Sequence, residues 1–562
     1  MKTSRYLLFV AVATLLLPEN ASAQFPAINT RFVNATQGEQ ADSNIWINFS
    51  AGGAASINAT TGTVTYDPTL SIGTANIWNG TSYVPTALYT NSSYQLSTIQ
   101  NQQVALSSFG GGRAYASYGS GLANISSGIS PQMGPYAGWQ PAPAVPDPSF
   151  TIRFQAFELT VQPTTVGSAG SYAFGSTNQV WADLSYIDQV GISTGINVLN
   201  APSGATNTVQ TSANTQALVN AVQIYNAGAA SPSTYTAGSN VVTSPASGGT
   251  QYVQVAGSNP SISYYNPGST STANPAPNVS SAANWNVIRV AGPGQMPTDG
   301  SAAQTTTVYR PWNNYIAALT PGGSLNTGGT LVANLAGAYG PAGVPAQNYT
   351  ASATFHAGTV NIGGTDYTGY IHVSGFSYGG TSQTDLYIPY SSLTASTGLY
   401  GTNPSYAEGL TNPLITVPGN TLQTRVVGDI VAGMNFGLLG STVSTTYNGT
   451  TQALGAFTSQ DWWNIGTASP NLLFGGAQSN PDFYNTYAAA LQSLTTGYAF
   501  GIEDRLSQNT TQFSITLGDG SNPTLEFLIQ PDLAAVPEPG TWALFALGFG
   551  AAVILRCRKS LA

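Results

Sequence analysis

The chain has 562 residues, of which 42% are apolar and only 6% charged, with a formal net charge of −9. That apolar share is enough for a core and argues against disorder, while abundant Gly, Ser, Thr, Asn and Tyr among β-branched residues point to a β-rich body. Between residues 24 and 537 seven arginines and no lysine stand against nineteen carboxylates, so nucleic acid, which needs clustered cations, is a poor partner and a neutral polymer such as a polysaccharide fits better.

In chain order, Lys2 and Arg5 precede an apolar run from Tyr6 to Leu17, and Ala21-Ser22-Ala23 supplies small residues for cleavage. Residues 1–23 therefore read as a secretory signal for signal peptidase, with the mature chain beginning at Gln24. From Phe25 to Leu199 short β patterns recur, among them Asn44 to Phe49, Gly62 to Tyr66 and Val104 to Phe109, separated by Gly, Asn and Pro clusters. They predict a sheet sandwich or barrel.

Two blocks within this region, Phe150 to Val161 and Val180 to Ile192, read as strands joined through a hairpin tip at Gly167 to Thr177. Glu158 in the first and Asp188 in the second form the candidate carboxylate pair. A charge on a half-buried strand must be solvated, paired or used, and so few cations are present that pairing is not easily arranged. Period-2 alternation puts Ile152, Phe154, Ala156 and Glu158 on one face, and Ala182, Leu184, Tyr186 and Asp188 on one face of the second strand. Neighbouring strands hold opposed Cβ atoms about 5 Å apart and diagonal ones about 7–8 Å apart. An inverting glycosidase needs its two carboxyl groups about 6.5–9.5 Å apart, one to protonate the leaving oxygen and one to activate water.

Helical spacing follows at Ala213 to Tyr225, Tyr309 to Leu319 and Pro481 to Leu494, the last with Asn480 as N-cap and Pro481 as first helical residue. The Ser, Thr, Asn, Gly and Pro-rich stretch from Gly228 to Ala283 reads as a surface excursion. His356 and His372 lie on separate β-like stretches without zinc-motif spacing, and the one cysteine, Cys557, sits in the tail. No metal, no cofactor and no disulfide are expected. At the C-terminus Pro537-Glu538-Pro539 is followed by an apolar run from Thr541 to Leu555 and then Arg556, Arg558 and Lys559. The run is short for a permanent span and reads as a transient membrane contact with its basic end cytoplasmic.

That ending closely resembles the PEP-CTERM sorting signal. The resemblance implies a segment 533–562 recognised by an exosortase-type enzyme, and a body exported through the inner membrane of a Gram-negative bacterium to the cell surface or beyond. The body, 24–532, is similar to glycoside hydrolase family 64. The similarity rests on Ile45-Trp46-Ile47, Arg113, Pro146 to Phe150, Phe157-Glu158-Leu159-Thr160, Trp181 to Gly191, Trp285 to Val290, Asp429 to Asn435, and Tyr484 through Asp504. It implies an endo-β-1,3-glucanase with a thaumatin-like β-barrel or sandwich (24–200, with a return over 421–532) and a mixed α/β part (201–420) flanking a wide groove. Residue by residue it implies Glu158 as general acid, Asp188 as general base, and glucan contacts from Thr160, Trp181, Ser185 and Asp504. Ser185 stands where the family commonly has Thr, and Glu503 where it has Asp. The alternatives are a non-catalytic glucan-binding protein and a structural surface or biofilm-matrix protein.

Overall fold

The computed structural model describes residues 27–50, 53–57, 64–122, 152–161, 178–200, 213–228, 312–340, 345–395, 403–416, 421–501 and 523–533, with short segments between them. The terminal segments carrying the secretory and sorting signals, most of the 167–177 hairpin tip, and Asp504 lie outside the described residues.

Strands are numbered in chain order as β1 (Ile28–Asn34), β2 (Ile45–Ser50), β3 (Gly73–Trp78), β4 (Tyr83–Leu88), β5 (Ser92–Gln95), β6 (Ile99–Leu106), β7 (Phe109–Tyr118), β8 (Phe154–Val161), β9 (Asn178–Ser185), β10 (Gln189–Val190), β11 (Thr194–Leu199), β12 (Val287–Ala291), β13 (Val332–Tyr339), β14 (Gln347–Ile362), β15 (Thr365–Tyr378), β16 (Leu386–Pro389), β17 (Ala407–Glu408), β18 (Gln512–Thr516) and β19 (Thr524–Ile529). The helices used below are α1 (Thr215–Gly228), α2 (Asn313–Leu319), α3 (Leu422–Asn435), α4 (Ser459–Ala468) and α5 (Thr486–Leu491).

Two six-stranded sheets form a sandwich, a front sheet in the order β18-β9-β8-β7-β2-β5 and a back sheet in the order β11-β19-β1-β6-β3-β4. Strict alternation in the sequence builds it. Ile45, Ile47 and Phe49 on β2, Phe157, Leu159 and Val161 on β8, and Val180, Ala182 and Leu184 on β9 are all buried on the inner face of the front sheet. The back sheet answers with Ile28, Phe32, Val104, Leu106, Leu525 and Phe527. Phe32 stacks on Phe527 at 5.2 Å and meets Phe49 and Phe157 edge-on at 6.0 and 6.4 Å. Truncating one of these rings to Ala costs about 3–5 kcal/mol.

The block 180–192 is not one strand. β9 ends at Ser185, the chain bends at Ile187 and Asp188, and β10 then pairs with β12 in another sheet. Tyr186 makes the departure: its ring is fully buried, and its hydroxyl bonds Thr194 and Thr211 at 3.1 Å each.

The region 312–501 is mixed. A sheet in the order β13-β14-β15-β16-β17 is backed by α3 and α4. Asp429 on α3, fully buried, accepts from Tyr349 on β14 at 2.7 Å and from Ser459 on α4 at 2.8 Å, tying the three elements together. Capping boxes at Thr421/Thr424 and Thr458/Asp461 start α3 and α4, two helices the periodicity reading missed. The expected helix at 213–225 is present as α1, and of the one expected at 309–319 the part from Asn313 is present as α2, with 309–311 outside the described residues. The one expected over 481–494 is broken: Pro481–Phe483 forms a single tight turn, Tyr484 is extended, and Asn485 caps α5 afresh by accepting from Ala488 N. His356 and His372, on β14 and β15, each stack on a tyrosine at 4.7 Å, Tyr370 and Tyr387 respectively.

Candidate active site

On the outer face of the front sheet the register sets one polar row across four strands. Ser50 opposes Arg113, Arg113 opposes Glu158, and Glu158 opposes Asp183. Cross-strand partners share a face, so these side chains emerge together on the side opposite the Phe157 core. The next rows along the same face hold Asn48, Tyr115, Ala156 and Ser185 on one side, and Thr160 opposite Trp181 on the other.

Asp188 comes to this row from outside the sheet. Arg113 Nη2 lies 3.0 Å from Glu158 Oε1, and its Nη1 lies 3.3 Å from Asp188 Oδ2. Because one planar guanidinium makes both contacts, the two carboxylates stand within about 9 Å of each other. That limit spans both the separation that leaves room for a water and the shorter one, about 5–5.5 Å, of a carboxylate nucleophile. All three side chains are half-buried, at 29% exposure for Arg113, 33% for Glu158 and 18% for Asp188.

The bend that carries Asp188 is fixed from several directions. Gln155, buried on β8, donates to Ser185 O at 2.6 Å and accepts from Gly191 N at 2.9 Å, closing the turn between them. Gln189 returns a bond to Phe154 O at 2.7 Å, and buried Arg289 donates to Gln189 Oε1 at 3.3 Å and to Ile152 O at 2.8 Å. Gly292 N donates to Asp188 O at 2.7 Å; a Cβ at Gly292 would fall 2.2 Å from Ile187 O, so only glycine fits. The late chain segment lies along the same turn: Tyr498 exchanges backbone bonds of 2.7 Å with Leu184 and Tyr186, and Tyr487 donates its hydroxyl to Tyr186 O at 2.6 Å.

Burial alone would lower the Arg113 pKa, but Glu158 and Asp188 outweigh it and hold the guanidinium charged, with its pKa raised. Burial pushes the neighbouring Tyr115 up to about 12, keeping its hydroxyl protonated. Against the expectation from composition, the scarcity of cations does not leave the acids unpaired. One arginine on the adjacent strand serves both, which no count of charges reveals.

Of the residues singled out in the sequence, Glu158, Thr160, Trp181 and Ser185 lie on one sheet face and Asp188 joins them through the bend, while Asp504 is outside the described residues. The face assignment for the second strand is corrected. Ala182 and Leu184 point into the core, and the outward parity is Trp181, Asp183 and Ser185. Asp183, directly opposite Glu158 and 6% exposed, is a third carboxylate that the reading overlooked. Pairing Thr160 with Trp181 fixes that parity by itself and was the signal for it.

Residues 27–237 match the model of a β-1,3-glucanase family, glycoside hydrolase family 64, and residues 535–559 match the PEP-CTERM protein-sorting motif. The family 64 β-1,3-glucanase domain match is thus confined to that one stretch. The match takes in the candidate acids and all but the last two strands of the sandwich, in under half of the chain. Among solved structures, the β-1,3-glucanase domain from Clostridium beijerinckii overlays with a TM-score of 0.45 at 12% identity, covering 90% of this chain and 98% of that one. The laminaripentaose-producing β-1,3-glucanase from Paenibacillus barengoltzii, complexed with laminarihexaose, gives 0.37 at 12% identity, over 93% of this chain and 80% of its own. No curated protein matches the chain. The sorting motif marks this glycoside hydrolase for export and surface sorting, with exosortase processing implied.

Proposed function

We propose that the protein is an endo-β-1,3-glucanase that hydrolyses extracellular β-1,3-glucan by single inversion at the outer face of the front sheet, exported by a Gram-negative cell and sorted to its surface. The observation that carries the reading is that Glu158 and Asp188, from different segments, converge on one guanidinium on a half-buried sheet face. Glu158 gives its proton to the glycosidic oxygen as the bond from that oxygen to the anomeric carbon breaks. A water attacks the same carbon from the opposite side and passes its proton to Asp188, and bulk solvent restores both carboxyl groups. Arg113 holds the two carboxylates in place, and Thr160 and Trp181 line the direction in which a sugar chain would run. A ring such as Trp181 suits the apolar face of a pyranose. The catalytic region in this reading is 24–532, followed by the sorting segment 533–562.

The test is reducing-sugar release from laminarin by the secreted body, with the anomer of the first product read by NMR. Release that falls by about 10²–10⁴ in both Glu158→Gln and Asp188→Asn, with product of inverted configuration, supports the reading. Undiminished release in either variant overturns the assignment of that residue, and retained configuration overturns the inverting step. Adsorption to glucan without any release by the unmodified protein returns the binding-protein alternative.

A further inference from the structure

The face of the back sheet that looks away from the core carries a second polar groove. Two cavities of about 590 and 190 Å³ adjoin there, both walled by Asn101 and Gln103. Along β3 the outward residues are Thr74, Asn76 and Trp78, opposite Ala87, Pro85 and Tyr83 on β4. From Thr74 to Trp78 that strip runs about 13 Å, long enough for a short stretch of polymer. Carboxamides dominate the lining, with Asn76 donating to Gln100 at 2.9 Å and Asn101 and Gln103 exposed beside them. At the hairpin end Trp78 and Tyr83 pack ring to ring at 5.3 Å, yet remain 43% and 42% exposed.

The backbone is distorted at the same place. Asn101 and Gln102 are consecutive left-handed residues, with φ of 55° and 59°, and the β3–β6 ladder shifts register between Ala75 and Ile77. Residues other than glycine rarely hold that conformation, and bulges of this sort re-aim side chains where a surface is used. Here they turn a run of amides toward the groove. The two charged groups in the walls already have partners: Arg31 pairs with Glu526 at 3.5 Å, and Asp42 accepts from Asn34 at 2.7 Å and from Gln102 at 3.0 Å.

A groove of donor-acceptor amides with two exposed rings at its end, one ion-paired arginine and one carboxylate already occupied by amide donors suits a ligand that is rich in hydroxyls, has flat apolar faces and carries no charge. We infer that this face binds a neutral glucan chain, as a second site on the side of the sandwich opposite Glu158 and Asp188. It would hold the protein on an insoluble polymer while the other face works on it. The inference does not require hydrolysis, so it stands or falls separately from the catalytic reading.

The experiment is adsorption to curdlan particles of the Glu158→Gln protein, which leaves the particles intact, alone and with either Trp78→Ala/Tyr83→Ala or Asn76→Ala/Gln103→Ala added. The expected result is a dissociation constant raised roughly tenfold by each pair, with adsorption to anionic alginate negligible throughout. In the active background the same pairs should leave kcat/KM on a soluble laminari-oligosaccharide unchanged. Should the aromatic pair disturb folding, the exposed amide pair decides. Unchanged curdlan adsorption in the amide variant, alginate binding as tight as curdlan binding, or a proportional loss on the short soluble substrate would each overturn the inference. A protein that releases no sugar but whose adsorption weakens in these variants would overturn the catalytic reading and leave this one standing.

Discussion

The two outer faces of the sandwich carry the same device with different surroundings. In front, Arg113 on β7 faces Glu158 on β8; behind, Arg31 on β1 faces Glu526 on β19. The back pair is balanced, one cation to one anion at 3.5 Å, with Asn197 steadying the glutamate at 3.2 Å and Arg31 43% exposed. The front arginine is less exposed and is outnumbered: Asp183 lies across from Glu158, and Asp188 comes in from the bend to share the guanidinium. An arginine–glutamate pair on a sheet is thus no mark of chemistry. What sets the front row apart is the excess of carboxylate held around a single cation, and the proposed site rests on that excess.

The comparison breaks most sharply at the glutamates. Glu158→Gln should lower laminarin hydrolysis by about 10²–10⁴, while Glu526→Gln should leave it within about twofold, both measured as initial rates on the secreted body. Equal losses would mean that the two faces do not differ in function. The second expectation concerns the bend that only the front face has: Gly292→Ala, pressing a methyl onto Ile187 O, should lower kcat/KM about 100-fold by displacing Asp188, with curdlan adsorption retained. Third, removing each arginine compares the pairs directly. Arg113→Met strands two half-buried carboxylates and should cost about 1–2 kcal/mol in chemical denaturation, discounted for solvent, whereas Arg31→Met should cost at most about 1 kcal/mol.

The smallest effect serves as a control outside both rows. Burial, and then the charge of His372, lower the His356 pKa below its ordinary value of 6.5. The folded protein thus binds this proton less readily than the unfolded chain does. Its contribution to stability is whole above pH 6.5 and is lost as the pH falls through the lower folded value. Melting temperature should fall on acidification through that window, and His356→Gln should flatten the slope there.

The strand pattern was legible wherever alternation was strict, as at Ile45 to Phe49 and Phe154 to Val161, because one buried face dictates period 2. α3 was not, since Val426, Val427, Ile430 and Val431 are β-branched residues whose helical setting comes from burial against β13, and only the Thr421–Thr424 capping box announced it. Glu158 was readable from the strand and its neighbours. The way Asp188 reaches it was not, because the turn depends on Gln155, Arg289 and Gly292, the last two about a hundred positions further along the chain. Asp183 was hidden by a parity error: extending one strand through Ile192 carries the wrong face inward.

β1 and β19 pair in parallel within the back sheet, flanked by β6 and β11, with Arg31 and Glu526 touching across 495 positions. A chain made from its N-terminus delivers β1 long before β19. The back sheet therefore lacks the strand between β11 and β1 until residues 524–529 are present, just ahead of the sorting motif at 535–559. Maturation of the fold and arrival of the sorting tag are thereby nearly simultaneous, and a product cut short before β19 has no finished hydrolase to release.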